Sequence, residues 1–168
     1  MVPNQNVAEM RRFFAGLTEF TFETHLGVAD PTLIDYISEL LTRFTHQDEI
    51  FRIRDQAGQP LDQVTDMLTV AKDEPAPAQR EIHRHIGDFT LFWSGMYPEA
   101  LRHMQAAPRK DMFLSYPATG KRAYQIASRL PPAESGPEAD ILERLSHDFD
   151  LCMYGLGELR KEWAKREG

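Results

Sequence analysis

The amino-acid sequence predicts an all-α fold, an irregular bundle of about six helices built by a single domain over residues 1–168. Apolar residues recur at steps of three and four along most of the chain, as they do on the buried face of a helix. Clusters of proline and glycine separate these runs and predict loops. With 42% hydrophobic and 27% charged residues, the chain has the composition of a globular protein that can bury its own core.

The first two helices are predicted on either side of Asp30 and Pro31. The first starts after Asn6 and places its phenylalanine and leucine side chains on one face. Polar and apolar residues alternate over 18–26, which leaves open whether that segment is helical or extended. Asp30 followed by Pro31 predicts the start of the second helix, because aspartate accepts from free N–H groups and proline at the first position loses no useful donor.

Residues 50–60 are the expected exception to the helical fold. Polar and apolar residues alternate over 50–54 as in a strand, and Ala57 and Gly58 follow as a turn sequence. We therefore expect one short β-hairpin near residues 50–60, with a helical conformation of 50–54 as the open alternative.

The second half of the chain is predicted to supply most of the remaining helices. Helical spacing covers residues 61–71 and 78–94, followed by a brief helix over 98–105 and a helical stretch that Pro117 either kinks or divides. Ser135 is predicted to open the last helix. The apolar positions of that helix follow a heptad pattern and are Leu142, Leu145, Phe149, Cys152, Leu156, Leu159 and Trp163. They pack either in the core of the same chain or, over residues 142–163, against a second copy in a homo-oligomer.

Charge and cysteine content restrict the classes of partner and the compartment. The formal net charge of -7 argues against nucleic acid and against acidic membranes as partners, because both bind mainly through cations. No apolar stretch reaches the roughly 20 residues that span a bilayer, and the first residues lack the pattern of an export signal. We therefore expect a soluble, cytoplasmic protein. Cys152 is the only cysteine, so an internal disulfide is impossible.

A basic stretch interrupts this acidic chain and provides the first candidate site. Residues 101–130 contain six lysines and arginines and one acidic residue, Asp111. Such a concentration of positive charge is suited to an acidic protein partner or a small anionic ligand, and a helix beginning near Gly120 would add backbone N–H groups. The predicted binding residues are Arg109, Lys110, Tyr116, Lys121, Arg122 and Tyr124. In the alternative interpretation, the bases pair with acidic helices of the same fold and both tyrosines belong to the core.

A stripe of titratable residues provides the second candidate site. Glu81, His85 and Asp88 are spaced i, i+4 and i+7, so they share one side of a helix. Imidazole and carboxylate groups can bind Zn, Fe or Mn in helical bundles, and Asp148 on the last helix is the predicted additional ligand. The alternative is that the stripe makes ion pairs along its own helix around a half-buried histidine.

From the sequence we expect a non-enzymatic binding or regulatory module that captures an acidic partner or a small anion. This expectation depends on the basic stretch and on the lack of a strong catalytic motif. The alternative is a metal-dependent enzyme or metal-binding bundle that uses the stripe on residues 81–88. A structural subunit that assembles through the heptad pattern is the third hypothesis.

Overall fold

The computed structural model describes residues 3–132 and 136–167, and all regular elements within these ranges are α-helices. The prediction of an all-α fold is thereby confirmed. The helices are α1 (Pro3–Leu26), α2 (Pro31–Arg43), α3 (Gln47–Ile50), α4 (Val64–Lys72), α5 (Ala76–Met96), α6 (Pro98–Met104), α7 (Tyr116–Arg129), α8 (Ala139–His147) and α9 (Phe149–Glu167). None of these helices combines the length and the apolar character needed to cross a membrane.

The described ranges hold nine helices instead of the predicted six, and one reason is the division of the last helix at Asp148. The Asp148 N–H donates to the Arg144 carbonyl at 2.7 Å, and the Cys152 N–H donates to the Asp148 carbonyl at 2.9 Å. Hydrogen bonding thus continues on both sides of the break, which preserves the apolar spacing and makes two helices resemble one in the sequence. Ser135, the predicted start of this helix, lies outside the described residues.

The short hairpin predicted near residues 50–60 is wrong, because only a single antiparallel bridge forms there, between Arg54 and Pro60. Proline has no N–H group and cannot extend a ladder of hydrogen bonds. The turn itself is present, with Gly58 at a positive φ of 81°. Residues 47–50 are helical as α3, and residues 18–26 continue α1 to its end, so the extended alternative for 18–26 is also wrong.

Helix α2 confirms the start signal that the sequence contains. The Asp30 carboxylate accepts the N–H groups of Thr32 and Leu33, and Pro31 occupies the first turn. Helix α7 uses a similar arrangement, because the Ser115 hydroxyl accepts the Ala118 N–H at 3.3 Å and a proline again lies in the first turn. The predicted helix start near Gly120 is therefore wrong, and Gly120 lies inside α7.

Helix α5 runs between two hydrophobic clusters and contributes residues to both. Its C-terminal half, with Leu91, Phe92 and Met96, joins the large cluster, which α1, α2, α8 and α9 complete. Its N-terminal half, with Ile82 and Ile86, joins the small cluster, which includes α4, the segment after α3 and part of α7. The fold thus consists of one extensive core and one smaller core on either side of a shared helix.

The heptad positions of α8 and α9 pack in the core of the same chain. The large cluster contains, fully buried, Leu142, Leu145, Phe149, Cys152, Leu156 and Leu159. Trp163 packs edge-on against Phe14 with ring centroids 5.3 Å apart. A second copy that docks on α9 would contact the side of this helix that carries the exposed residues Leu151 and Tyr154, and not the buried heptad positions. A homo-oligomer through residues 142–163 stays a prediction.

Helices α5 and α7 approach each other so closely that glycine is required at their contact. A Cβ built on Gly120 would lie 2.5 Å from the Phe149 ring and would also overlap the Thr90 hydroxyl. We expect Gly120→Ala to lower the free energy of unfolding by about 1–3 kcal/mol, because added volume in a packed core forces side chains off their rotamers. Urea unfolding of the purified variant measures this change.

Gly16→Ala is the matched control for this substitution. Gly16 also lies inside a helix, α1, but a Cβ there would meet no atom within 4 Å. Since alanine is a better helix former than glycine, the free energy of unfolding of this variant should rise by up to about 1 kcal/mol. Equal effects of the two substitutions would show that α5 and α7 are not in tight contact at Gly120.

Candidate functional site

Asp88, one of the predicted metal ligands, is the centre of a buried polar cluster. Its Oδ1 accepts the Tyr36 hydroxyl at 2.7 Å and the Tyr124 hydroxyl at 2.6 Å, and its Oδ2 accepts Arg43 Nη2 at 3.1 Å. Arg84 Nε donates to the Tyr36 hydroxyl at 3.1 Å and lies 4.0 Å from Asp88 Oδ2. These five residues, the Asp88 cluster, join α2, α5 and α7.

The charges of the Asp88 cluster keep its carboxylate ionised. Burial opposes ionisation and raises the pKa of Asp88, but Arg43, Arg84 and the two tyrosine hydroxyls outweigh burial and hold this pKa below its ordinary value. Burial and the nearby carboxylate raise the pKa of Tyr36 and of Tyr124, so both hydroxyls stay protonated and act as donors. The oxygens of Asp88 are therefore already engaged by four side chains of the protein.

His85 lies one turn before Asp88 and is equally buried, with 2% of its surface exposed. Its ring is tilted against Phe44 and Phe89, each with a centroid distance of 5.9 Å. Neither ring nitrogen makes a hydrogen bond of ordinary geometry with the described residues. Burial lowers the pKa of His85 to about 4, so the ring is neutral at physiological pH.

The other two predicted metal ligands take part in ion pairs. Glu81 lies 3.5 Å from Arg52 and from Arg84, and Asp148 lies 4.0 Å from Arg144. Among residues 3–132 and 136–167, no group of three or more His, Cys, Asp and Glu side chains is placed to hold a metal ion. Glu81, His85, Asp88 and Asp148 are therefore not arranged as a metal site, because arginines and tyrosines occupy the positions around the carboxylates.

Asp111 is the single acidic residue of the basic stretch. In the structure it is buried and makes hydrogen bonds that hold α4 and α7 in place. Its carboxylate accepts the N–H groups of Val64 at 2.7 Å and of Thr65 at 2.9 Å, which begin α4. The Tyr116 hydroxyl donates to the same carboxylate at 2.5 Å, and the Asp111 N–H donates to Gln63 Oε1 at 2.9 Å. Asp111 thereby caps α4 from a distant loop and connects it to the start of α7.

Three bases of the predicted anion site are engaged by carboxylates of the same chain. Arg109 pairs with Asp62 at 3.4 Å, Lys110 with Asp66 at 2.6 Å and Lys121 with Asp150 at 2.7 Å. The two predicted tyrosines are buried, and each donates its hydroxyl to a buried aspartate. Arg122 differs from all of these, because it is exposed and forms no ion pair or hydrogen bond with any described residue.

Arg122 lines a groove of about 650 Å³ between α4, α5 and α7, which we call the α4–α7 groove. Its charged lining residues are Arg122 and Lys72, and Lys72 also has no ion pair with the part of the chain that the structure describes. His83 contributes an imidazole whose Nδ1 is buried without a partner there. Burial lowers the pKa of His83, so the ring is mainly neutral at pH 7. None of the lining residues is an aspartate or glutamate.

The remaining lining of the α4–α7 groove is mostly apolar. It includes Leu68 on α4, Leu114 before α7, and Ala123 and Ile126 on α7. A second, more polar hollow lies on the other side of α7 and is lined by Lys121, Arg122, Gln125, Arg129 and Ser146, among others. Arg122 belongs to both hollows, so its guanidinium can reach a ligand in either one. Lys72, which sequence reasoning missed, comes from a segment distant from the basic stretch in the chain and carries no local signal.

A comparison of the chain with protein-family models, with curated proteins and with solved structures finds no match in any of the three. The candidate site is therefore interpreted from its own geometry.

Proposed function

We propose that the protein is a non-enzymatic binding module that takes up a small anionic ligand in the α4–α7 groove. The observation that carries this proposal is the charge of the groove: Arg122 and Lys72 are its charged lining residues, and neither has an acidic partner among the described residues. An anion would supply the missing partner. An acidic protein surface is the less favoured ligand, because Arg109, Lys110 and Lys121, which would meet it, already pair with acids of the chain.

The physical environment of the groove suits such a ligand. A charge pair is stronger beside apolar walls than in open water, because less solvent screens it. The planar guanidinium of Arg122 can donate two parallel hydrogen bonds to a carboxylate or a phosphate. The Gln79 amide also lines the groove and offers a further N–H donor. His83 has no carboxylate or thiol beside it in the groove lining, which favours binding over acid and base catalysis.

Arg122→Glu is expected to weaken anion binding at least about tenfold, because a hydrogen-bonded charge is replaced by a repelling one. The probes are inorganic phosphate, acetate and octanoate, each titrated into the purified protein in a calorimeter. At least one of them should bind at one site per chain. Far-ultraviolet circular dichroism of the variant should be unchanged, since Arg122 is exposed and forms no hydrogen bond or ion pair with any described residue.

Arg12→Glu is the matched control for this charge reversal. Arg12 is also an exposed arginine inside a helix, α1, and it lies outside the groove lining. Its reversal changes the net charge by the same amount and should leave the affinity unchanged. If none of the three anions binds, or if both reversals weaken binding equally, the proposed function is wrong.

A further inference from the structure

The α4–α7 groove has two chemically different ends. The Thr65 hydroxyl donates to the Asp111 carboxylate at 2.7 Å and lies 3.4 Å from the Lys110 carbonyl, which places the start of α4 beside the loop that leads into α7. At the other end, Arg80 Nε donates to the Ala127 carbonyl at 3.1 Å, which places the start of α5 beside the end of α7. Helices α4 and α7 therefore run in the same direction along the groove.

These contacts order the lining residues along the groove. Leu68 of α4, Leu114 and Ala118 lie toward the Asp111 end, where the lining is apolar except for threonines. Lys72 follows one turn after Leu68 on α4, and Arg122 follows one turn after Ala118 on α7. Gln79 and His83 of α5 belong to the same end as Lys72 and Arg122. Ile126 follows one turn after Arg122 on α7 and also lies at this end. The groove thus has an apolar end without cations and a second end that carries both cations beside Ile126.

We infer that the ligand is an amphipathic anion, with a carboxylate head at Arg122 and Lys72 and an unbranched apolar chain that extends toward Leu68 and Leu114. This inference rests on the proposed function, which it makes more specific. A small polar anion would leave the apolar end in water, and a neutral apolar molecule would leave both cations without a partner. An amphipathic anion satisfies both ends at once.

The size of the groove fits this class of ligand. A volume of about 650 Å³ lies within the range of sites for small molecules. The stretch of α4 from Thr65 to Lys72 is eight residues, so its ends are about 10 Å apart at the rise of an α-helix. The extended chain of octanoate has a comparable length. Octanoate therefore serves as the probe, and the threonine-rich rim can stay hydrated beside it.

The test compares ligands that differ in head or in chain, titrated into the full-length protein. Octanoate should bind at least about tenfold more tightly than hexanoate. It is two methylene groups longer, and each buried methylene contributes roughly a fourfold gain in affinity. Acetate and inorganic phosphate should bind at least a hundredfold more weakly than octanoate. Octan-1-ol, which has the chain without the charge, should bind at least tenfold more weakly than octanoate.

A variant that fills the apolar end provides a second readout. Ala118 is exposed in the first turn of α7, so Ala118→Phe should occupy the groove without disturbing the core. We expect this variant to remove the advantage of octanoate over acetate. Ala139→Phe, an exposed alanine at the start of α8 and outside the groove lining, is the control and should bind octanoate like the original chain.

The outcomes separate this inference from the proposed function. If acetate or phosphate binds as tightly as octanoate and Arg122→Glu abolishes that binding, the protein is an anion-binding module and the amphipathic ligand is overturned. If octan-1-ol binds as tightly as octanoate and Arg122→Glu has no effect, both are overturned. If the affinity depends on the length of the ligand's chain, on the charge of its head, on Arg122 and on Ala118, both the proposed function and the amphipathic ligand are supported.

Discussion

Asp88→Ala is expected to lower the free energy of unfolding by about 3–5 kcal/mol, the cost of breaking a buried ion pair by removing one partner. The substitution leaves the Arg43 guanidinium and the hydroxyls of Tyr36 and Tyr124 without the carboxylate that they share. Because these partners come from α2, α5 and α7, the loss affects the junction of three helices. Urea unfolding followed by circular dichroism measures the change.

Asp150→Ala is the control for this prediction, because Asp150 also accepts from a cation, Lys121, but does so at the surface. An exposed ion pair contributes less than about 1 kcal/mol. Tyr124→Phe should fall between the two, since it removes one hydrogen bond to a charged group, worth about 1.5–3 kcal/mol. If Asp88→Ala costs no more than Asp150→Ala, the Asp88 cluster does not stabilise the fold.

Acidification from pH 6.5 to pH 4 is expected to lower the stability of the protein by up to about 3 kcal/mol through His85 alone. In the folded state burial lowers the pKa of His85 to about 4, whereas the unfolded chain has the ordinary value of 6.5. Between these two values the unfolded state binds a proton that the folded state does not, so stability decreases as the pH falls. Below pH 4 both states are protonated and this contribution ends.

The difference in the free energy of unfolding between the original chain and His85→Phe separates the effect of His85 protonation from that of the carboxylates. Phenylalanine keeps an aromatic ring between Phe44 and Phe89 but cannot titrate. The stability difference between the two proteins should therefore change by the stated amount over this range. The Asp88 carboxylate does not interfere, because its pKa is held below its ordinary value and its contribution is lost only at lower pH. A flat difference curve would mean that His85 is hydrated or charged in the folded state.

The helical class of the fold was predictable because apolar spacing and helix start signals are local properties. Asp30 with Pro31 predicted the start of α2 correctly, since the capping carboxylate acts on the next few residues. The division at Asp148 was not predictable, because the apolar spacing continues across it. The alternation over 50–54 predicted a strand that is not formed. Ile53 and Leu61 are buried in the small cluster, as the apolar positions of a hairpin would be, but Pro60 prevents further pairing between the two segments.

The candidate site was predictable only in part, because pairing between charges depends on tertiary neighbours. Lys121 and Arg122 are adjacent in the sequence, yet Lys121 faces Asp150 of α9 while Arg122 faces the groove. Nothing within the basic stretch distinguishes these two directions. The spacing of His85 and Asp88 correctly predicted one shared side of α5, but it could not show that two arginines and two tyrosines would surround the carboxylate.

The separation of the core by α5 determines which part of the molecule can adapt to a bound molecule. The large cluster holds α1, α2, α8 and α9 through extensive apolar packing, whereas α4 depends on the small cluster and on the cap from Asp111. Regions with fewer buried apolar contacts open at lower free energy than the rest of a protein. The wall that α4 contributes to the α4–α7 groove is therefore expected to open at lower free energy than the larger half of the bundle.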